Sequence, residues 1–474
     1  MFKIIPIFLL LISLLTTVSS QELSENVLKY VSEQESLLAF TNVIIYDGLG
    51  NSPKSGQTLL VANGKISVVG NLNEFIIPKQ YKQIDMTGKT IIPGLVMMHE
   101  HLFYPTMPGE YYNLSEMLYS FPKLYLAGGA TTIRTAGGSE PGSELKLSQF
   151  IREGKAVGPE IHVTSQHINR PSEMPIYGFD FINSPEEAGR SVDFWGAKGI
   201  SSFKLYTHIT KADMTEVVNR AHAKNYHVTG HICAVTYREA ADIGIDNLEH
   251  GFLASSDFNA AKKIDSCDSR EARKALVVLN KDDSKMKKLM KHLIDKNVTI
   301  TSTLPVFEPY TGREIIPGGG LNAVVQPLRE KIMLLWSKKQ GLDSTQAELF
   351  KKEMYWEKQF FDMGGKLTNG TDPTFAGRTV AGYSNQRSLE LLVEAGFTTE
   401  QAIMISTKNG AEFLGVFDKK GSIEAGKNAD FVIIDADLRK DVSNIRKMET
   451  VFKDGIGYDS QQLFESVKGQ VGLH

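Results

Sequence analysis

The chain has 474 residues, 42% hydrophobic and 23% charged, which is enough material for a full barrel and a second unit. Its formal net charge of -3 argues against a nucleic-acid partner, which would call for a basic face. Only Cys233 and Cys267 are present, so disulfides are not expected to staple the fold, although one bridge between the two stays open.

Residues 1–20 have the layout of a secretory signal peptide. Lys3 gives a positive start, Ile4 to Leu15 is apolar, and Val18-Ser19-Ser20 supplies small residues before Gln21. The apolar run is shorter than the roughly 20 residues of a membrane-spanning helix. No later segment spans either, so the expected mature chain is exported, periplasmic or secreted, with no membrane span.

From Phe40 to Val69 short β-prone runs alternate with Gly48, Gly50, Gly56 and Gly64. The same texture returns at Asp430 to Asp435 and at Val451 to Asp454. Segments 21–92 and 419–474 are therefore expected to build one small discontinuous β-sandwich from both termini. Between them, 93–418 alternates strands with helical patterns such as Lys211–Lys224 and Gln386–Ala395, which predicts an α/β unit with parallel strands. The expected strands are Leu95–Glu100, Ala130–Thr135, Glu160–Ser165, Ser202–Tyr206, His227–His231, Asn247–Glu249, Thr299–Leu304 and Lys366–Asn369. Eight such units make a (β/α)8 TIM barrel, whose chemistry gathers at the strand C-termini. Phe258 to Ile300 and Pro305 to Phe361 exceed simple crossovers and are expected to act as a lid or, alternatively, to build a homo-oligomer interface. In the lid reading Phe258, Phe307 and Tyr310 form an apolar wall, and Pro317 to Gly320 breaks the segment.

The chemistry starts at His99-Glu100-His101, which ends an apolar run. Side chains two apart on a strand share a side, so both imidazoles can converge on one ion while Glu100 faces away. Lys204, His231, His250 and Asp372 lie at the ends of later strands. One register with four strand-end histidines is hard to reach by chance, whereas His162, His222, His227, His292 and His474 read as structural or surface residues. A lysine pointing into a barrel needs its charge neutralised or paired. Lys204 is therefore either carboxylated, becoming an anionic bridge between cations, or a neutral or salt-bridged structural residue.

PGLVMMHEH (93–101), TTIRTAGG (131–138), SFKLYTH (202–208), VTGHI (228–232), NLEHG (247–251) and TNGTDP (368–373) occur in this order, followed by KKGSIEAGKNADFVIID (419–435). Together they resemble the metal-dependent amidohydrolase superfamily, in its prolidase-like and imidazolonepropionase-like branch, over nearly the whole mature chain. The resemblance implies two divalent ions, with zinc the expected metal, bridged by a carboxylated lysine and a hydroxide. Matched position by position, His99, His101 and Asp372 would hold one ion, His231 and His250 the other, and Lys204 would bridge both. Met97 and Thr135 stand where the family usually has acidic residues, which affects the support of the ligands rather than the ligands.

The implied reaction is hydrolysis of a small-molecule amide by the bridging hydroxide, with Asp372 moving the proton. Dipeptides or N-acyl amino acids are the expected substrates. His167 is a further catalytic candidate that would face the substrate carbonyl; Tyr206 and His208 are candidate substrate contacts. Each could equally pack locally. Arg378 could pair with a substrate carboxylate or be an ordinary exposed loop arginine. The competing readings are a hydrolase of a cyclic amide or ester, a single-metal deaminase, and a non-catalytic binding protein on a barrel scaffold.

Overall fold

The computed structural model describes residues 22–106, 113–172, 178–316, 318–337, 344–374 and 378–472. The expected signal peptide, His474 and Pro317 lie outside them.

Alternation every second residue builds the first unit. Leu38 and Phe40, Leu59 and Val61, and Phe431 and Ile433 each share one face of a strand and meet in a common apolar core. Phe431 stacks on Phe452 with ring centroids 4.5 Å apart, and Phe40 presents its edge to both rings. Nine strands form this sheet, and they come from both ends of the chain. Thr90–Pro93 pairs antiparallel with Phe431–Ile434, and Val31–Glu33 pairs antiparallel with Ile456–Asp459.

All eight expected barrel strands are present and run parallel to their neighbours, but their ladders do not join into a closed ring. Leu95–Glu100, Ala130–Thr135 and Glu160–His162 form one sheet. Ser202–Leu205, His227–Gly230, Asn247–Glu249, Thr299–Ser302 and Leu367–Asn369 belong to a second. This second sheet also contains His167–Asn169, a strand not anticipated, which sets His167 opposite Lys204.

The first gap has a local cause. Thr135 Oγ1 accepts the Thr164 amide at 2.9 Å, and Ser165 Oγ accepts the Lys204 amide at 3.1 Å. Side-chain oxygens thus take N–H groups that a ladder would otherwise use. At the second gap the Thr371 and Asp372 amides both donate to His99 O, at 3.1 and 3.0 Å. Gly370 lies against His99 so closely that a Cβ would sit 2.4 Å from the His99 Cβ. The last strand therefore touches the first through a bend rather than a ladder.

The crossover helix Lys211–His222 begins at Thr210, whose side chain accepts from the Asp213 amide, and it buries Met214, Val217, Val218 and Ala221. The later part of each long insertion is a helix leading into the next strand: Ser284–Asp295 buries Met286, Leu289, Met290 and Leu293, and Ser344–Asp362 precedes the last strand. The expectation that no disulfide staples the fold is corrected. Cys233 and Cys267 are bonded, tying the first insertion to the loop after the His227–Gly230 strand. Among the described residues no helix is long and apolar enough to cross a membrane.

Candidate metal centre

The strand Leu95–Glu100 is buried throughout, so the polar side chains at its end must find partners inside the protein. His99 Nδ1 lies 2.7 Å from Glu249 Oε2, and His101 Nδ1 lies 3.0 Å from Gly137 O. Both acceptors call for a proton on Nδ1 and leave Nε2 as the free, metal-binding nitrogen. His250 Nδ1 is 2.9 Å from Thr303 Oγ1.

Asp372 closes the set. Its Oδ1 lies 3.3 Å from His101 Nε2 and 3.9 Å from His99 Nε2, and its Oδ2 lies 3.9 Å from His250 Nδ1. His99, His250 and Asp372 each offer a ligand atom within 4.8 Å of the others. The His231 ring is 4.4 Å from that of His250. Both His250 and Asp372 have positive φ, 68° and 49°, a backbone state that side chains other than glycine rarely adopt. Gly251 completes the turn at φ +59°, where a Cβ would lie 1.7 Å from Glu353 Oε1.

Lys204 is 1% exposed, and its Nζ has no hydrogen-bond partner among the described residues. The nearest carboxylate contact is Glu249 Oε1 at 3.9 Å. Burial pulls its amine down to about 8, partly opposed by Glu249 and reinforced by Arg134. Burial likewise lowers His99 to about 4 and His231 to about 3, with Lys204 acting in the same direction on both. His167 and His250 are also held well below the usual imidazole range by burial, with Lys204 and the neighbouring imidazoles acting in the same direction. Burial opposes ionisation of Asp372, but the His101 hydrogen bond and the surrounding imidazoles outweigh it and keep the carboxyl well below its ordinary range. These are neutral imidazoles around a carboxylate, the protonation state in which both bind cations.

These residues line one cavity of about 910 Å³ that also takes in His167, Tyr206 and His208. The His167 ring stacks on Phe179 at 4.4 Å, and Tyr206 lies 5.0 Å from the His231 ring. His208 pairs through Nδ1 with Thr207 Oγ1 at 2.9 Å. Arg378 is a correction. It is buried rather than exposed, donates to Pro309 O at 3.0 Å and covers the Tyr310 ring, and it does not line the cavity. The expected aromatic wall is reduced to Phe307, because Tyr310 is occupied under Arg378 and Phe258 packs on the barrel core. Glu100 does turn from the imidazoles. Its carboxyl, pushed up to about 8 by burial, meets Thr371 Oγ1 at 2.5 Å and Asn385 Nδ2 at 3.2 Å. His162, His222 and His292 pair with Glu160, Asp246 and Asp242, and His227 packs against Phe413.

Sequence reasoning gave Glu249, Arg134 and Thr303 no role. Glu249 is fully buried, with one oxygen on His99 and the other receiving Arg134 Nη2 at 2.6 Å and the Thr229 hydroxyl. Burial would raise its pKa, but Arg134, Lys204 and His99 hold it well below the usual range. The available signal was an ionisable residue on a wholly buried three-residue strand, which must be paired.

The fold and site define a metal-dependent amidohydrolase, an enzyme acting on carbon–nitrogen bonds. The model of the amidohydrolase family matches residues 90–456, and the chain belongs to that family. A dihydroorotase of Elusimicrobium minutum (strain Pei191) is 32% identical over 126 residues, which cover 27% of this chain and 25% of that protein. The chain thus matches about a quarter of that relative's length. A Xaa-Pro dipeptidase crystallised with methionine in its active site superimposes at TM-score 0.66 and 20% identity, covering 90% of this chain and all of that one. A bottromycin amidohydrolase gives TM-score 0.67 at 18% identity, over 94% and 95% of the two chains. The A. niger ochratoxinase gives 0.62 at 16%, over 90% and 96%. At these identities the structural likeness concerns the fold.

Proposed function

We propose that this chain is an exported binuclear hydrolase cleaving the amide bond of dipeptides or N-acyl amino acids. The observation that carries the two-ion reading is Lys204, a buried amine with no hydrogen-bond partner among four imidazoles and a carboxylate. A permanently charged lysine would be costly there, while a carboxylated one supplies the anion that two cations need. Its amine, held near 8, is neutral in a useful fraction of molecules, as reaction with carbon dioxide requires. In this reading His99, His101 and Asp372 hold one ion, His231 and His250 the other, and Lys204 both. Zinc suits the imidazole-rich set.

Divalent ions held there would supply Lewis acidity toward the scissile carbonyl and an acidified water. The chain's own contribution is proton handling and orientation. Asp372 is kept as a carboxylate, so it can take a proton from the attacking water and pass it to the leaving nitrogen. In this reading His167, kept neutral by burial, donates a hydrogen bond to the carbonyl oxygen. Glu249 locks the His99 tautomer and keeps that ring aimed. The Xaa-Pro dipeptidase among the structural neighbours supports the peptide-like substrate. The dihydroorotase match favours, as second reading, a cyclic amide. Export is supported by the signal-like residues 1–20 and by the Cys233–Cys267 bridge, since disulfides persist in oxidising compartments.

The test combines elemental analysis with a substrate panel of dipeptides, N-acyl amino acids and cyclic amides. About two divalent ions per chain and cleavage of the open-chain amides are expected. Near one ion, unchanged on adding zinc and bicarbonate, would overturn the bridged site. Turnover of cyclic amides alone would install the second reading.

A further inference from the structure

Helix Ser269–Val278 lies in the insertion that follows His250. Its residues Ser269, Arg270, Ala272 and Arg273 all line the cavity of the imidazoles, a spacing that marks one helix face. The helix is fixed at both ends. Cys267, just before it, is bonded to Cys233, two residues beyond His231. After it, Lys352 Nζ donates to Leu279 O at 2.8 Å and also to Val277 O. The Asp268 side chain caps its start through the Glu271 amide at 3.0 Å.

What this wall presents is positive charge without a counter-charge among the described residues. Arg273 is half-buried, and its Nε donates to the neutral Gln346 Oε1 at 3.1 Å, an oxygen that Nη2 shares. No carboxylate pairs with Arg270 or Arg273 among the described residues. The acidic groups whose charge reaches Arg273 are the Tyr310 phenol and then Glu353; burial and neighbouring Glu357 push Glu353 well above the carboxylate range, so it is no counter-ion at neutral pH. Asp372 is the one acid among the described lining residues, and it faces the imidazoles. Buried charges are ordinarily paired, so a half-buried guanidinium on a cavity wall is placed for an anion from outside. Phe103, Leu114, Phe179, Leu253, Val306 and Phe307 line the same cavity and offer an apolar surface.

We propose that Arg270 and Arg273 form the clamp for a substrate carboxylate, so that the preferred substrate carries a free carboxylate beside an apolar or aromatic side chain. This deepens the hydrolase reading and rests on it for the position of the scissile bond. The guanidinium fork matches a carboxylate with two parallel hydrogen bonds, which an ammonium or an amide cannot reproduce. The disulfide sets the distance between clamp and imidazoles. A substrate is then measured between a fixed cationic wall and the reacting centre.

The test uses zinc-loaded full-length protein and two measurements. Equilibrium binding compares 3-phenylpropanoate with 3-phenylpropanamide, and turnover compares N-acetyl-L-phenylalanine with N-acetyl-L-phenylalaninamide. Arg270→Gln and Arg273→Met should each weaken the acid by about 10-fold or more, mainly in KM for the substrate, and narrow the gap to the amide. Equal losses for acid and amide, unchanged acid binding, or no acid binding by the unaltered chain would overturn the clamp. Arg270 is exposed at the cavity rim, so its substitution still decides the matter should Arg273→Met fail to fold. If no substrate in the panel is cleaved while arginine-dependent binding of the acid persists, the hydrolase reading falls and the clamp stands.

Discussion

The core of the nine-stranded sheet and the mouth of the parallel strands are equally dry, yet they bury opposite things. In the sheet, Phe40, Phe431 and Phe452 fill the space between strands with rings that need no partner. At the mouth, Lys204, Glu249, Asp372 and the imidazoles occupy buried positions where burial itself disfavours their charged forms. The first kind of burial is a source of stability and the second a cost. Among the described residues Lys204 Nζ finds no hydrogen bond, so at this position the chain itself does not offset the cost of burial.

The contrast breaks most sharply at Lys204. Lys204→Ala should lose bound metal and, with it, essentially all turnover, and short carboxylic acids should restore part of both by standing in for the bridge. Lys204→Arg should not substitute, because a guanidinium cannot become an anion. Full activity in Lys204→Ala would make the residue structural. In the sheet the opposite pattern is expected. Phe431→Ala should cost about 3–5 kcal/mol of stability, read by denaturant unfolding, with turnover per folded molecule unchanged. A loss of turnover without a loss of stability would couple the two regions. The smallest of the three effects separates binding from chemistry. Asp372→Asn should lower turnover by about 100-fold or more while metal content changes far less. Near-normal turnover would pass the proton to His167 or His208.

Much of this contrast was legible in the sequence, because apolar alternation and strand-end histidines are local signals. His99, His101, His231, His250, Lys204 and Asp372 were placed by their position at the ends of short β-prone runs, and all six line one cavity. Contacts between residues remote in sequence were not legible. Glu249 acquires its meaning only beside His99 and Arg134, which other strands bring to it. Arg378 looked like a free loop cation because nothing nearby in sequence announces Pro309 O or the Tyr310 ring. The Cys233–Cys267 bridge depends on an insertion folding back over the strand ends, which two cysteines alone cannot specify. The first gap in the ladders follows from Thr135 and Ser165 side chains taking backbone amides, a choice that strand propensity does not record.

The nine-stranded sheet has a consequence for how the molecule is made. Thr90–Pro93 lies between Leu37–Ile45 and Phe431–Ile434, so one of its edges is covered only by residues from near the end of the sequence. During synthesis that edge stays bare until the intervening barrel has emerged, and a bare apolar edge invites pairing with other chains. Final closure of the sheet is thus a long-range and late event, the kind that slows folding. A nascent or truncated chain that stops before Phe431 is the form of this protein most exposed to aggregation.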